Sequence, residues 1–188
     1  AEAFARVLRE SDHEVVQVYA RNSERGELVA GLAGAEWCGK AEELAAAEIY
    51  LICVSDSAVA QVAAMLPFAP NAIVAHTAGC GTLEMLPQSV RRAVIYPFQT
   101  FSKGRVVDFK QLYLFIEAQD EATAAEATAF ASTLSDCVAT ADAALRSKIH
   151  LTGVIASNFV NNMYALAADV LERAGLPFDV VAPVIGET

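Results

Sequence analysis

The apolar positions along most of the chain alternate between helical spacing and the short runs that are typical of strands. Residues 1–9 have apolar positions at helical spacing, and the run 14–19 that follows predicts a strand. The run Ile49-Tyr50-Leu51-Ile52-Cys53-Val54 is continuously apolar, which is typical of a strand buried on both faces of a parallel sheet. The same reasoning predicts further strands at 72–76, 92–96 and 112–116, and helices at 41–47, 56–66 and 120–134.

This alternation predicts an α/β fold with a doubly wound, Rossmann-type sheet over residues 1–140. In such a sheet the first strand is central, and the turn after it carries a glycine-rich loop that binds the pyrophosphate of a dinucleotide. Neither feature is found in the sequence, and we expect both to precede Ala1. The alternative is that residues 1–10 are simply an N-terminal helix.

The last quarter of the chain has a different pattern. A helical pattern runs from Asp142 to Ala174, and Gly175 and Pro177 follow it as a C-terminal stop signal. Because one long helix cannot bury its own apolar face, residues 141–188 are predicted to begin an all-helical second domain that is incomplete here.

Composition and charge narrow the classes of function. The formal net charge of -10 has the wrong sign for binding nucleic acid or an anionic membrane. The 4 cysteines are far apart without a CxxC pair, so neither a metal site nor a disulfide framework is predicted. No apolar stretch is long enough to span a membrane and no signal peptide begins the chain, so we expect a cytoplasmic protein that acts on a small molecule.

Arg21, Asn22 and Ser23 follow the predicted strand 14–19. At this position an acidic residue normally binds the ribose of NAD, whereas an arginine accommodates the 2′-phosphate of NADP. Asn22 and Ser23 can donate further hydrogen bonds to that phosphate. The sequence therefore predicts NADP in preference to NAD, unless Arg21 is only a solvated residue in a polar loop.

Two more turns follow buried strands, where doubly wound folds bind their ligands. The predicted cofactor-binding residues are Val54, Ser55 and Asp56 in the first turn and His76, Thr77, Ala78 and Gly79 in the second. Ser55 or Asp56 could instead only cap the next helix, and His76 could be a structural histidine. The loop 96–103 is polar and aromatic and could line a substrate pocket or form aromatic packing.

Polar residues also cluster on the long helix. His150, Val154, Ser157 and Asn161 fall on nearly one line of a regular helix, with Asn158 beside it and Asn162 beyond. Buried asparagine needs a partner, which could be a substrate, a cofactor amide or another helix. Lys148 or His150 could supply a proton to a carbonyl or imine. The predicted catalytic residues are His76, His150 and Asn158.

Several of these motifs occur together in the order of a known family. They are Val54-Ser55-Asp56, His76-Thr77-Ala78-Gly79, Tyr96-Pro97-Phe98-Gln99-Thr100-Phe101-Ser102, Ser157-Asn158-Phe159-Val160-Asn161 and Pro183-Val184-Ile185-Gly186-Glu187-Thr188. In them the sequence resembles a bacterial family that joins a Rossmann-like domain to a helical domain of unknown function. It is similar, more distantly, to deazaflavin-dependent NADP oxidoreductases, pyrroline-5-carboxylate reductases and β-hydroxyacid dehydrogenases.

The resemblance implies an NADP-dependent oxidoreductase that transfers hydride between nicotinamide and a small carbonyl or imine substrate, or deazaflavin. It also implies a homodimer through the helical domain and more helices after Thr188. In β-hydroxyacid dehydrogenases a lysine and an asparagine on the first helix of the second domain serve the substrate. Asn158 matches that asparagine, but Val154 stands where the lysine is expected, which argues against β-hydroxyacid chemistry.

A different class of function is a non-catalytic protein that binds or senses a dinucleotide. No pair of residues in the sequence forms a recognisable acid–base set, so the fold alone does not establish a reaction.

Overall fold

Strands and helices alternate through most of the chain in a computed structural model that describes residues 1–102 and 104–187. The strands are β1 (Gln17–Tyr19), β2 (Glu36–Cys38), β3 (Ile49–Ile52), β4 (Ile73–His76), β5 (Arg91–Pro97), β6 (Leu114–Ala118) and β7 (Val138–Thr140). The α-helices are α1 (Glu2–Arg9), α2 (Ser23–Ala33), α3 (Val59–Met65), α4 (Glu121–Leu134), α5 (Ala143–Gly153), α6 (Val160–Arg173) and α7 (Ala182–Gly186).

The strands form two sheets. One has five strands in the order β3-β4-β5-β6-β7, and β1 and β2 pair in parallel as a separate sheet. The strands β3, β4 and β5 are parallel, whereas β6 runs antiparallel to β5 and β7 runs parallel to β6. The predicted α/β fold of the Rossmann type is therefore confirmed, with one antiparallel pairing that the sequence pattern did not indicate.

Both faces of the five-stranded sheet are covered by apolar side chains. Successive residues of β4 point to opposite faces, so that Ile73 and Ala75 join one core cluster and Val74 joins the other. The first cluster includes Phe130 of α4, and the second includes Val59 of α3. Burial on both faces explains why β3 and β4 appear in the sequence as continuous apolar runs.

Four elements differ from the sequence prediction, and one of them is α2, a helix that the apolar spacing did not indicate. The helix predicted at 41–47 is only a short 3-10 turn, Ala41–Glu43, because the chain becomes extended at Leu44. The strands β2 and β7 were not predicted, because each has 3 residues, too few for an alternation to be visible.

The contacts divide the chain into two compact units, residues 1–148 and residues 149–188. The long helical pattern from Asp142 is present as α5, a π-helical segment at Val154–Phe159, and α6. The helix ends as predicted before Gly175, whose φ of 71° is left-handed and suits glycine. Within the part of the chain that the structure describes, no helix combines the length and the apolarity needed to cross a membrane.

Trp37 of β2 fixes the small sheet against α2. Its indole Nε1 donates a hydrogen bond to the carbonyl oxygen of Ala20 at 2.9 Å. The ring lies so close to Gly26 of α2 that a Cβ at this position would overlap it. Gly31 of the same helix has open space instead, with nothing within 4 Å of a Cβ.

This difference predicts opposite effects of one substitution at two positions of α2. Gly26→Ala should lower the free energy of unfolding by about 1–3 kcal/mol, because the new methyl group must displace the Trp37 ring. Gly31→Ala should raise it by about 0.5–1 kcal/mol through helix propensity alone. Urea unfolding of both variants measures these changes, and a Gly26→Ala variant as stable as Gly31→Ala would contradict the predicted packing.

Candidate functional site

The turn between β1 and α2 presents the start of an 11-residue helix. Asn22 is the N-cap residue, and its Oδ1 accepts a hydrogen bond from the backbone N–H of Arg25 at 2.8 Å. Asn22 and Ser23 are exposed. The first turn of a helix leaves backbone N–H groups without helical partners and carries a partial positive charge, which suits an anion.

Arg21 is the residue of this turn whose positively charged side chain could bind such an anion. It is exposed, and within residues 1–102 and 104–187 it has neither a hydrogen bond nor an ion pair. Arg25, one turn further along the chain, is instead paired with Glu2 of α1. Arg21 is therefore exposed and unpaired within the described residues, while its role in binding a phosphate stays a prediction.

The turn after β3 is polar and open. Val54, Ser55 and Asp56 are all exposed. Ser55 occupies the N-cap position of a short 3-10 turn without a side-chain capping bond, so the capping alternative is wrong for it. The Oδ2 of Asp56 accepts a hydrogen bond from the backbone N–H of Cys80 at 3.4 Å, which joins this turn to the loop after β4.

His76 at the end of β4 is completely buried and both of its ring nitrogens have backbone partners. Nδ1 accepts from the N–H of Ala78 at 3.2 Å, so Nε2 carries the proton and donates to the carbonyl oxygen of Thr82 at 3.1 Å. Burial is the main cause that lowers the pKa of His76, and the positive charge of Arg146 lowers it further. This geometry gives no support to a proton donor at His76 and favours a role in shaping the loop.

The other residues of this loop are small and mostly buried. Ala78 and Gly79 are buried, whereas Thr77 is half-buried and its N–H donates to the carbonyl oxygen of Ile52 at 3.3 Å. Because β3 and β4 are adjacent and parallel, their two turns lie side by side. Of the predicted cofactor-binding residues, those in the turn after β3 are exposed. In the loop after β4, Thr77 is more accessible than its neighbours, which are buried.

Arg146 of α5 is a residue that the sequence analysis missed. It is completely buried, and its Nη1 donates to Oε2 of Glu117 at 2.5 Å and to the carbonyl oxygen of Ala141 at 3.3 Å. Its Nη2 donates to the carbonyl oxygen of Gly81. Nε has no hydrogen-bond partner in the described part of the chain.

Gly81 is therefore held between a buried cation and a buried ring. A Cβ at Gly81 would lie 2.6 Å from Cε1 of His76, so this position requires glycine. Helical spacing gives no signal for a buried arginine, because an arginine on a helix is usually solvated. The loop from Thr77 to Thr82 is thus fixed by two residues that are distant from it in the sequence, Arg146 and Glu117.

The loop after β5 shows aromatic packing. The rings of Tyr96 and Phe98 have centroids 6.4 Å apart, and Phe101 lies 6.4 Å from Phe109. Aromatic packing was one of the two interpretations of this loop offered by the sequence. The other, a role in lining a substrate pocket, stays a prediction. Lys103 lies outside the described residues.

The candidate residues of the long helix lie in the second unit. His150 is half-buried, and Asn158 is exposed in the π-helical segment Val154–Phe159. A π-helical turn adds a residue relative to an α-helix, so the line predicted through His150, Ser157 and Asn161 is interrupted there. The catalytic roles of His150 and Asn158 stay predictions.

The chain resembles proteins of known structure, and part of it matches a protein family. Residues 112–188 match the family model described as a domain of unknown function, DUF2520. The whole chain aligns with the crystal structure of a predicted NADP oxidoreductase from Bacteroides fragilis, at 39% identity over 74% of that protein and a TM-score of 0.89.

More distant structures share the fold. A protein from Thermotoga maritima is 21% identical, with a TM-score of 0.72, and aligns with all of this chain over 76% of its own length. A predicted oxidoreductase from Mycobacterium avium 104 is 16% identical, with a TM-score of 0.66, and also aligns with all of this chain, over 70% of its own length. A search of curated proteins gave no match.

The buried charge at Arg146 leads to a stability prediction. Arg146→Met should lower the free energy of unfolding by about 3 kcal/mol, because it leaves Glu117 and the Gly81 carbonyl group without their partner. Adding Glu117→Gln to this variant should recover part of the loss, since a neutral amide costs less to bury.

The matched control is the exposed pair of Lys110 and Asp136. Lys110→Met should change the free energy of unfolding by less than about 0.5 kcal/mol, as is usual for surface ion pairs. Urea unfolding measures all three variants. Equal effects of Arg146→Met and Lys110→Met would show that the buried guanidinium does not hold the loop.

Proposed function

Since the chain belongs to the family that joins a Rossmann-type domain to a helical DUF2520 domain, we propose that it is an NADP-dependent oxidoreductase. Its substrate would be a small carbonyl or imine compound, or deazaflavin. The relative from Bacteroides fragilis, itself a predicted NADP oxidoreductase, supports an oxidoreductase that uses a nicotinamide dinucleotide. The preference for NADP and the class of substrate are our own proposals.

The observation that carries the proposal is the exposed Arg21 immediately before the N-cap of α2, a residue that has no ion pair in the described part of the chain. A guanidinium has the planar set of donors that binds a phosphate in a bidentate manner. Asn22 and Ser23 follow Arg21 in the sequence, and their side chains would donate hydrogen bonds to the same 2′-phosphate. No acidic residue occupies the end of β1, where a carboxylate would otherwise select the ribose of NAD.

The turns after β3 and β4 fit the rest of such a cofactor. Val54, Ser55 and Asp56 are exposed and would contact the adenosine ribose or the pyrophosphate. Thr77, Ala78 and Gly79, together with His76 beneath them, would form a flat border for the nicotinamide, because small side chains allow a ring to approach closely. The hydrogen bonds of His76 and Arg146 keep this border fixed before any ligand binds.

When bound, NADPH supplies the hydride from C4 of its nicotinamide to the substrate carbon. The substrate oxygen or nitrogen then needs a proton, and we propose His150, with Lys148 as the alternative, as its source. Asn158 would orient the substrate through its side-chain amide. His76 is not available for this step in the observed geometry, because both ring nitrogens are already bonded to the backbone.

That same observation favours a second candidate function. Both ring nitrogens of the buried His76 are bonded to the backbone, so this histidine shapes its loop. A protein with this arrangement could bind or sense a dinucleotide without catalysing hydride transfer.

Two measurements on the wild-type protein test the proposal. Equilibrium titration should show binding of NADPH in preference to NADH, and binding of neither would contradict both candidate functions. A screen of carbonyl, imine and deazaflavin acceptors should then show consumption of NADPH. Tight binding without turnover of any acceptor would favour the sensor.

Arg21→Asp tests the selectivity within the same titration. The carboxylate should repel the 2′-phosphate and accept a hydrogen bond from the ribose of NADH, so NADPH should bind about tenfold or more weakly while NADH binds no worse. Lys110→Asp produces the same charge change at an exposed residue elsewhere and should leave selectivity unchanged. An unchanged ratio of the two affinities in Arg21→Asp would refute the role of Arg21.

We also propose that the second unit pairs with a second copy of the chain. Its helices expose several large apolar side chains before, within and after the π-helical segment, namely Leu151, Ile155, Phe159, Met163, Leu166 and Val170. Sedimentation equilibrium should give a dimer for the wild type and a monomer for Met163→Glu. A wild-type monomer would contradict the homodimer.

A further inference from the structure

The strands β1 and β2 end side by side, and a cationic residue follows each of them. Tyr19 pairs with Cys38 in the parallel register, and the N–H of Ala20 continues the ladder by donating to the carbonyl oxygen of Cys38 at 3.0 Å. Arg21 and Lys40 each lie two residues beyond the pair Tyr19 and Cys38. Since paired strands are about 4.8 Å apart, the long side chains of both residues can reach one phosphate.

Trp37 and Cys38 fix the backbone that carries these two cations. Sγ of Cys38 donates to the carbonyl oxygen of Lys40 at 3.0 Å, and the indole of Trp37 donates to the carbonyl oxygen of Ala20 at 2.9 Å. A Cβ at Gly39 would lie 2.8 Å from Cζ2 of Trp37, so the ring also abuts the residue that precedes Lys40. The same tryptophan therefore supports the chain before Arg21 and before Lys40.

The ion pair between Lys40 and Glu43 is exposed and can exchange. Its Nζ lies 2.7 Å from Oε1 of Glu43, and the two side chains are 71% and 58% exposed. An ion pair this exposed contributes little free energy, so a phosphate with two negative charges can displace Glu43. In a chain with a net charge of -10, two cations at one strand edge form a local site for an anion.

We infer that Lys40 is the second cation of the 2′-phosphate site and determines, with Arg21, the preference for NADP. The ammonium of Lys40 would donate to one phosphate oxygen while the guanidinium of Arg21 binds the others. This inference rests on the proposed function, but it concerns a residue that follows β2, in a segment that is separate from the turn of Arg21. It assigns Lys40 no contact with the part of the cofactor that NADPH and NADH share.

Equilibrium binding of NADPH, NADH and 2′,5′-ADP to three variants tests the role of Lys40. Lys40→Gln should weaken NADPH and 2′,5′-ADP about tenfold, the usual effect of losing one charge-assisted hydrogen bond, and leave NADH unchanged. Lys40→Arg keeps the positive charge and should stay within about threefold of the wild type for all three ligands. Lys110→Gln removes the same charge from an exposed site elsewhere and should change none of them.

The outcomes separate the inference from the proposed function. Wild-type protein that binds neither NADPH nor NADH overturns both. If the wild type prefers NADPH and Lys40→Gln keeps that preference, only the role of Lys40 is overturned. An equal loss for NADPH and NADH in Lys40→Gln, or a loss in Lys40→Arg as large as in Lys40→Gln, also overturns it. Selective loss of the ligands that carry a 2′-phosphate supports it.

Discussion

The buried guanidinium of Arg146 is the group on which the arrangement of the β4 loop depends. Removing such a charge from water costs several kcal/mol, so it is tolerated only where partners surround it. Its partners are Glu117 on β6, the Ala141 carbonyl group before α5 and the Gly81 carbonyl group in the loop. One side chain of α5 thus joins three segments that are distant from one another in the sequence, and displacement of the loop would remove the Gly81 carbonyl group from the partners of this buried charge.

The rigid loop and the exposed cations belong to different parts of the first unit. The loop after β4 is fixed by Arg146 and by the neutral ring of His76, whose Nδ1 would lose its hydrogen bond from the N–H of Ala78 on protonation. The cations of the β1–β2 edge are instead exposed and weakly paired. A fixed border suits the close approach of a flat ring, whereas exposed cations would bind a phosphate without a large desolvation cost.

Sequence periodicity predicted those elements of the fold that are determined by residues close together in the sequence. The strands β3 and β4 are continuous apolar runs because both faces of the sheet are covered, and the end of the long helix at Gly175 follows from its left-handed backbone. The strand β2 has only 3 residues and was missed, and Trp37 and Lys40 were missed with it. His76 was identified as a titratable residue at a strand end, but its burial and its backbone partners depend on residues up to 70 positions away, such as Arg146. No local pattern contains that information.

The overall negative charge bears on the proposed preference for NADP. With a net charge of -10, the protein repels an anion at long range, and a cofactor with an extra phosphate is repelled more than one without it. A preference for the more highly charged cofactor therefore requires short-range contacts that outweigh this repulsion. In the first unit, the helix start at Asn22 and the cations that follow β1 and β2 would provide such contacts under our proposal. Because repulsion is screened by salt while direct contacts are less affected, the proposed selectivity would depend on these few side chains rather than on the total charge.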